Sequence, residues 1–230
     1  MSFGWPRTAR GDDVVRSASL EIVRPIGDAY SERTTDGDAY PESLAVRAAI
    51  NRGFYTVVLD YRRNVYQTEN AGAGTLTRYA RIEGGTGTAA PFLARESSFE
   101  ARFERRLGHD GLAAGVGLLR TWANYNYPSL HGLGIGLEQR PSLGAGVRPF
   151  GSAFYFPSAC GPYATETVPV RTLAPSFRIL KLDYGVIVRA AHARVDFVVG
   201  YGNEFRRGIG LSGDNRFIRS DTYLGLGTHL

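Results

Sequence analysis

Residues 176–201, SFRILKLDYGVIVRAAHARVDFVVGY, constrain the fold more than any other stretch. Leu180, Leu182, Tyr184, Val186 and Val188 form one row of alternate residues, and Ile179, Lys181, Asp183, Gly185, Ile187 and Arg189 form the other. After a short polar connection at Ala191–Arg194, the row Val195, Phe197, Val199, Tyr201 repeats the arrangement against Asp196, Val198, Gly200, Gly202 and Glu204. A strict period of two marks strands with unlike faces, and two such strands across a tight connection make an antiparallel hairpin. The second face is the unusual one. The water-facing side of a soluble sheet carries mostly Lys, Thr, Ser and Glu, whereas this face mixes acids and bases with glycine. An aliphatic row with tyrosine near its ends, backed by a polar row, is the pattern of a strand that faces lipid on one side and a lumen on the other.

Bulk properties permit such a fold and exclude others. Hydrophobic residues make up 43% of the 230 residues and the mean hydropathy is −0.20. No run approaches the roughly 20 apolar residues that a spanning helix needs, but alternating strands average out to modest hydropathy. The net charge of +5 and pI near 9.5 do not point to nucleic acid, because the arginines are scattered among carboxylates and no nucleic-acid motif accompanies them. The single cysteine, Cys160, excludes an intramolecular disulfide and a cysteine metal cluster. Residues 1–13 lack the apolar segment of a secretory leader, so an exported barrel is expected to have lost one.

The alternation recurs along the chain. Strand candidates are Val14–Val23, Leu44–Ile50, Phe54–Val65, Ser97–Leu107, Leu112–Tyr125, Gly132–Arg140, Ala145–Phe156, the two of the opening hairpin, and Thr222–Leu230. Asn51-Arg52-Gly53 has hairpin-turn chemistry, and Pro149 blurs the pattern of its strand. The expected organisation is an extended N-terminal segment over 1–12 and a single β-barrel domain over 13–230. Its long connections fall at about 25–43, 66–96, 126–131, 157–175 and 206–220, with a weaker alternating piece at Thr75–Glu83 inside the second. Long and short connections alternate, as in barrels with short turns at one end and long loops at the other.

On this pattern, and on the C-terminal YLGLGTHL, the chain resembles small bacterial outer-membrane β-barrel proteins as a class. Members of that class end on a strand with a large apolar or aromatic last residue and a glycine shortly before it. Here those are Leu230 and Gly225, with departures in Leu for the usual Phe and in Thr228. The resemblance implies an all-β, antiparallel, up-and-down transmembrane barrel of about ten strands, with eight to twelve compatible. It implies a Gram-negative outer-membrane location, a porin-like architecture, and as partners outer-membrane lipid and other envelope proteins through the external loops.

The inward row is expected to carry a lumen charge network of Arg47, Asp60, Glu100, Arg102, Glu104, Glu138, Arg148, Lys181, Asp183, Arg189, Asp196 and Glu204, with Glu21 beside it. Interleaved acids and bases should pair and plug a narrow barrel, and the inward glycines either admit bulky residues from the opposite wall or leave a small passage. Tyr55, Tyr61, Phe99, Phe103, Trp122, Tyr184, Phe197 and Tyr201 are expected to form an aromatic girdle. Tyr55 and Tyr61 end one aliphatic row about 20 Å apart at strand spacing. Tyr125, Tyr127, Phe154, Tyr155, Phe156 and Tyr163 are expected in or beside exposed loops.

Signals for chemistry are weak. Asp36, Asp38 and His131, with Ser129 nearby, are the candidates for a hydrolase or protease at the outer rim, resembling the ten-stranded omptin type, although Asp36-Gly37-Asp38 is also ordinary turn chemistry. His109, His192 and His229 lack metal-site spacing. The glycines of GLGIG (132–136) sit in a strand pattern with no helix to follow, which removes the phosphate-binding mechanism. Cys160 is expected to be an inert loop thiol. The sequence therefore favours a non-enzymatic envelope barrel, structural or partner-binding, with at most a narrow pore and neither cofactor nor metal. The alternatives are the rim hydrolase and a soluble β-barrel that binds an apolar ligand.

Overall fold

The computed structural model describes residues 16–30, 42–67, 93–107, 111–124, 127–140, 146–164, 169–189, 195–210 and 216–229. Asp36, Asp38, His109, Tyr125 and His192, the segment 1–12 and the piece 75–83 lie outside them. The strands are β1 (Arg16–Tyr30), β2 (Leu44–Arg52), β3 (Tyr55–Gln67), β4 (Leu93–Arg106), β5 (Leu112–Ala123), β6 (His131–Gln139), β7 (Gly146–Cys160), β8 (Tyr163–Ala164), β9 (Thr172–Leu173), β10 (Ser176–Arg189), β11 (Val195–Ile209) and β12 (Arg216–His229). Ten of them form one closed antiparallel barrel in the order β1-β12-β11-β10-β7-β6-β5-β4-β3-β2, while β8 and β9 pair as a separate two-stranded hairpin. The opening hairpin is β10–β11, in register from Ser176↔Ile209 to Arg189↔Asp196.

The two faces are inverted relative to a soluble protein. Large apolar side chains stand exposed on all ten barrel strands, from Leu20 and Ile22 on β1 to Leu224 and Leu226 on β12, with Leu118, Leu133, Ile135 and Phe197 each at least 58% exposed. The inward rows hold buried Asp, Glu and Arg. Both termini of the described barrel and the short connections lie at one end. There the β2–β3 hairpin turns through Gly53 and Phe54, with Gly53 at φ 60°, the positive φ that primed hairpin turns require. Asn51 and Thr56 bond across this turn at 2.6 Å.

Several strands run further than the apolar alternation. β1 continues to Tyr30, β4 begins at Leu93, β7 reaches Cys160, β11 reaches Ile209, and β12 starts at Arg216. Each trims a connection expected to be longer, and the β11–β12 connection shrinks to 210–215, the same length as the longest turn at the opposite end, 140–145. Outward apolar residues mark only the belt; beyond it backbone pairing persists with polar side chains outside, which hydropathy alone reads as loop. The 157–175 connection also carries the β8–β9 hairpin, and Cys160 ends a strand opposite His131 and Ser176 instead of lying in a loop.

The aromatics expected in exposed loops divide. Phe154, Phe156 and Tyr163 are buried, and with Leu119, Leu130, Phe177 and Ile179 they form an apolar cluster that Tyr127 packs against; Tyr155, one residue out of phase, stays outside and 40% exposed. Facing glycines make the room. A Cβ on Gly134 would lie 2.5 Å from the Phe156 ring and one on Gly136 2.5 Å from Phe154, inside any allowed contact. A smaller cluster nearer the short-turn end gathers Val23, Ala45, Ile187, Val198 and Tyr223, with Gly200 making way for the Tyr223 ring.

Substituting Gly134→Val forces Phe156 out of its place and should destabilise the barrel by about 1–3 kcal/mol or more, as overpacked cores do. Gly210→Asn, at a surface position with φ 69° and no atom near its Cβ, should have little effect. Urea unfolding followed by tryptophan fluorescence measures both.

Candidate functional site

The candidate site is the lumen together with the rim at the long-loop end. Asp183 on β10 is the hub. It accepts hydrogen bonds from Arg47 Nη2 at 2.5 Å, from Arg62 Nη2 at 3.5 Å and from the Tyr223 hydroxyl. β2 and β10 are not neighbours in the barrel, so Arg47–Asp183 spans the lumen. Arg47 also donates to Asp60 at 3.0 Å and lies 4.0 Å from Glu21. Arg62 reaches Asp221 at 3.0 Å.

Further pairs spread from this hub. Arg102 bonds Glu100 at 3.2 Å and Glu138 at 2.9 Å, and its guanidinium sits 4.6 Å from the Phe154 ring centre, a cation–π contact that joins the charges to the apolar cluster. Lys181 crosses the lumen to Glu100. Arg140 bonds Glu138 at 2.6 Å and approaches Glu104 at 3.5 Å. Toward the long-loop end Glu204 pairs with Arg206 and lies 3.8 Å from Arg219. Arg189 and Asp196 form a bidentate pair, 2.7 and 2.5 Å, at the short-turn end. Arg148 takes the inward row opposite Ile187.

The structure thus brings the sequence-predicted charges onto inward positions. It adds Arg62, Arg140 and Tyr223, which continue the inward rows of strands legible in the sequence, and Arg206, Arg219 and Asp221, which lie outside the expected strands. Arg206 and Arg219 fall within the stretch expected to be a loop. A signal for them exists in the sequence: Glu204 and Arg206, and Arg219, Asp221 and Tyr223, continue the period of two once the strands are extended.

A cavity of about 20 Å³ lies among Arg47, Asp60, Glu100, Lys181, Asp183 and Glu204, room for about one water molecule. Among the described side chains of the barrel strands, Glu21, Asp60, Glu96, Glu100, Glu104, Glu138, Asp183, Asp196, Glu204 and Asp221 all lie on inward rows, whereas arginines stand on both faces. Arg24, Arg95, Arg120, Arg178 and Arg207 are exposed on outward rows toward the long-loop end, and Arg63 is partly exposed there.

The aromatic candidates all face outward. Tyr55 stacks on Phe103 at 5.4 Å near the short-turn end, and Tyr61 approaches Trp122 at 6.2 Å further up. Phe99 and Phe197 are exposed. Tyr184 and Tyr201 face each other at 5.6 Å near mid-strand. His131 is exposed on the outward row opposite Arg120, directed away from the lumen. His229 ends β12 opposite Ser19. Among the described residues no group of three or more His, Cys, Asp or Glu is placed to hold a metal ion.

No protein-family model matches the chain, and no curated protein matches it in sequence. Among solved structures it is similar to the toluene transporter TodX of Pseudomonas putida, with 10% identity, a TM-score of 0.31, and coverage of 93% of this chain and 68% of that one. A likeness this remote carries no inference about solute or mechanism.

Removing Asp183 leaves the buried guanidinium groups of Arg47 and Arg62 each short of one carboxylate and the Tyr223 hydroxyl without its acceptor. Asp183→Ala should therefore cost about 3–5 kcal/mol, against less than about 0.5 kcal/mol for the exposed Arg24→Ala. Equilibrium unfolding in urea separates the two.

Proposed function

We propose that the chain is an integral β-barrel of a bacterial outer membrane, non-enzymatic and with an occluded lumen. It acts as a structural or partner-binding component of the cell envelope. The observation that carries this is the apolar outer row, present on every one of the ten strands around a charged interior. Water penalises an exposed apolar surface that encircles the whole molecule, whereas a bilayer rewards it and requires a closed barrel, because no backbone group can be left unpaired there. A soluble barrel that binds an apolar ligand would need an apolar cavity; the described side chains of the lumen instead form ion pairs and a packed apolar cluster. Lipid is the partner of the belt. The long-loop end, with its outward arginines, is the face open to other envelope components.

A filled lumen predicts a silent barrel. Reconstituted in planar bilayers, the protein should give no steady single-channel current, and large stable conductance would make it a transporter instead. Membrane insertion is checked separately. The unboiled protein should migrate differently from the boiled one on SDS gels. Leu118→Arg in the belt should weaken refolding into lipid vesicles by about 2–4 kcal/mol, the cost of an arginine near the bilayer midplane. A protein that stays soluble without detergent, with no shift on boiling, overturns the membrane assignment.

A further inference from the structure

On the outer wall, β7, β10, β11 and β12 bring four apolar side chains into one line. Leu180 lies opposite both Tyr155 and Phe205, and Phe205 lies opposite Ile218. They line an open groove of about 240 Å³. Two residues further toward the long-loop end, about 6.6 Å along a strand, Arg178 and Arg207 are direct cross-strand partners and both are exposed. The facet is therefore apolar below and cationic above.

Like charges placed directly opposite on one sheet face repel. The fold does not relieve this repulsion: among the described residues neither the Arg178 nor the Arg207 side chain has a hydrogen-bond or ion-pair partner, and the described carboxylates of the barrel strands point inward. An anion spanning the two guanidinium forks would relieve it, and the fork geometry favours phosphate or carboxylate oxygens bound in pairs. The groove beneath adds a second requirement, since it offers a hydrocarbon chain a place that a free ion cannot use.

We propose that this facet binds a phosphate-bearing lipid of the leaflet at the long-loop end. The phosphate bridges Arg178 and Arg207, and an acyl chain lies along Leu180 and Phe205. The proposal rests on the membrane barrel proposed above.

The test is native mass spectrometry of the full chain released from detergent and titrated with diphosphoryl lipid A. Diacylglycerol, which has the chains but no phosphate, and inorganic phosphate as competitor form the other arms. The wild type should retain lipid A over diacylglycerol, and millimolar inorganic phosphate should not displace it. The pair Arg178→Gln and Arg207→Gln should weaken retention at least about tenfold, as expected for losing charge-assisted hydrogen bonds. Arg207→Gln alone should give an intermediate loss, Leu180→Ser a loss without any change of charge, and Arg52→Gln at the opposite rim none. Retention within twofold in both the single and the double arginine variant overturns the site. Equal retention of diacylglycerol reduces it to a greasy groove, and displacement by inorganic phosphate reduces it to a plain anion patch; either result overturns the proposal. The boiled and unboiled forms of each variant are compared on the same preparations. A barrel that shifts on boiling yet ignores the arginines defeats the lipid site alone, whereas a water-soluble chain with no shift defeats the membrane assignment first.

Discussion

Closure of the backbone ladder is the constraint on which everything else depends. β1 pairs with β12 from Ser19↔His229 to Tyr30↔Arg219, so no strand of the barrel presents an unpaired edge. In hydrocarbon each unpaired backbone group costs several kcal/mol, and an open ten-stranded sheet would carry two edges of them. Closure also gives every strand one face inside and one outside, which turns a period of two in the sequence into a sorting rule for the whole molecule. Irregularities are confined to places where the ladder tolerates them. The register shifts between Pro25 and Gly27, beside a residue with no N–H to donate, and β10 shifts against β7 between Phe177 and Ile179, where the apolar cluster crowds the wall.

The interior is filled by two devices matched to one another. On the β5–β6–β7–β10 side, glycines on two strands face phenylalanines on a third, so the wall recedes where rings advance. Elsewhere, guanidinium groups and carboxylates from opposite walls meet. Desolvating a lone charge would be prohibitive, but a mutually bonded set offsets that cost and resists removal of any one member. Arg102 belongs to both devices, bonded to two glutamates and lying over Phe154. The paired groups of the inward rows are thus committed to one another. The described carboxylates of the barrel strands lie inside, so arginines such as Arg24, Arg95, Arg120, Arg178 and Arg207 are the charges those strands expose toward the long-loop end.

Much of the fold is legible in the amino-acid sequence. Alternation places the ten barrel strands, assigns Asp60, Glu100, Lys181 and Asp183 to the inside, and sets Tyr55, Phe103 and Phe197 outside. Strand ends are less legible. Past the belt, Arg206, Arg219 and Asp221 look like loop residues to any measure that weighs hydropathy, although the backbone around them is still paired. Phe154 and Phe156 mislead for the opposite reason: aromatic side chains near a loop suggest a rim, and only the glycines on neighbouring strands show that space exists inside for them.

The sequence by itself determined which side of the wall the residues of the clearly alternating stretches occupy, since that depends only on the period of two and on neighbours in the same strand. The tertiary structure decided which residues meet. Arg47 and Asp183 are 136 residues apart, and their contact requires the barrel to close at this strand number and with this stagger between strands. Stagger is a property of all ten pairings together, so no local stretch encodes it. The same holds on the outer wall, where Arg178 and Arg207 become adjacent cations only because β10 and β11 lock in one register.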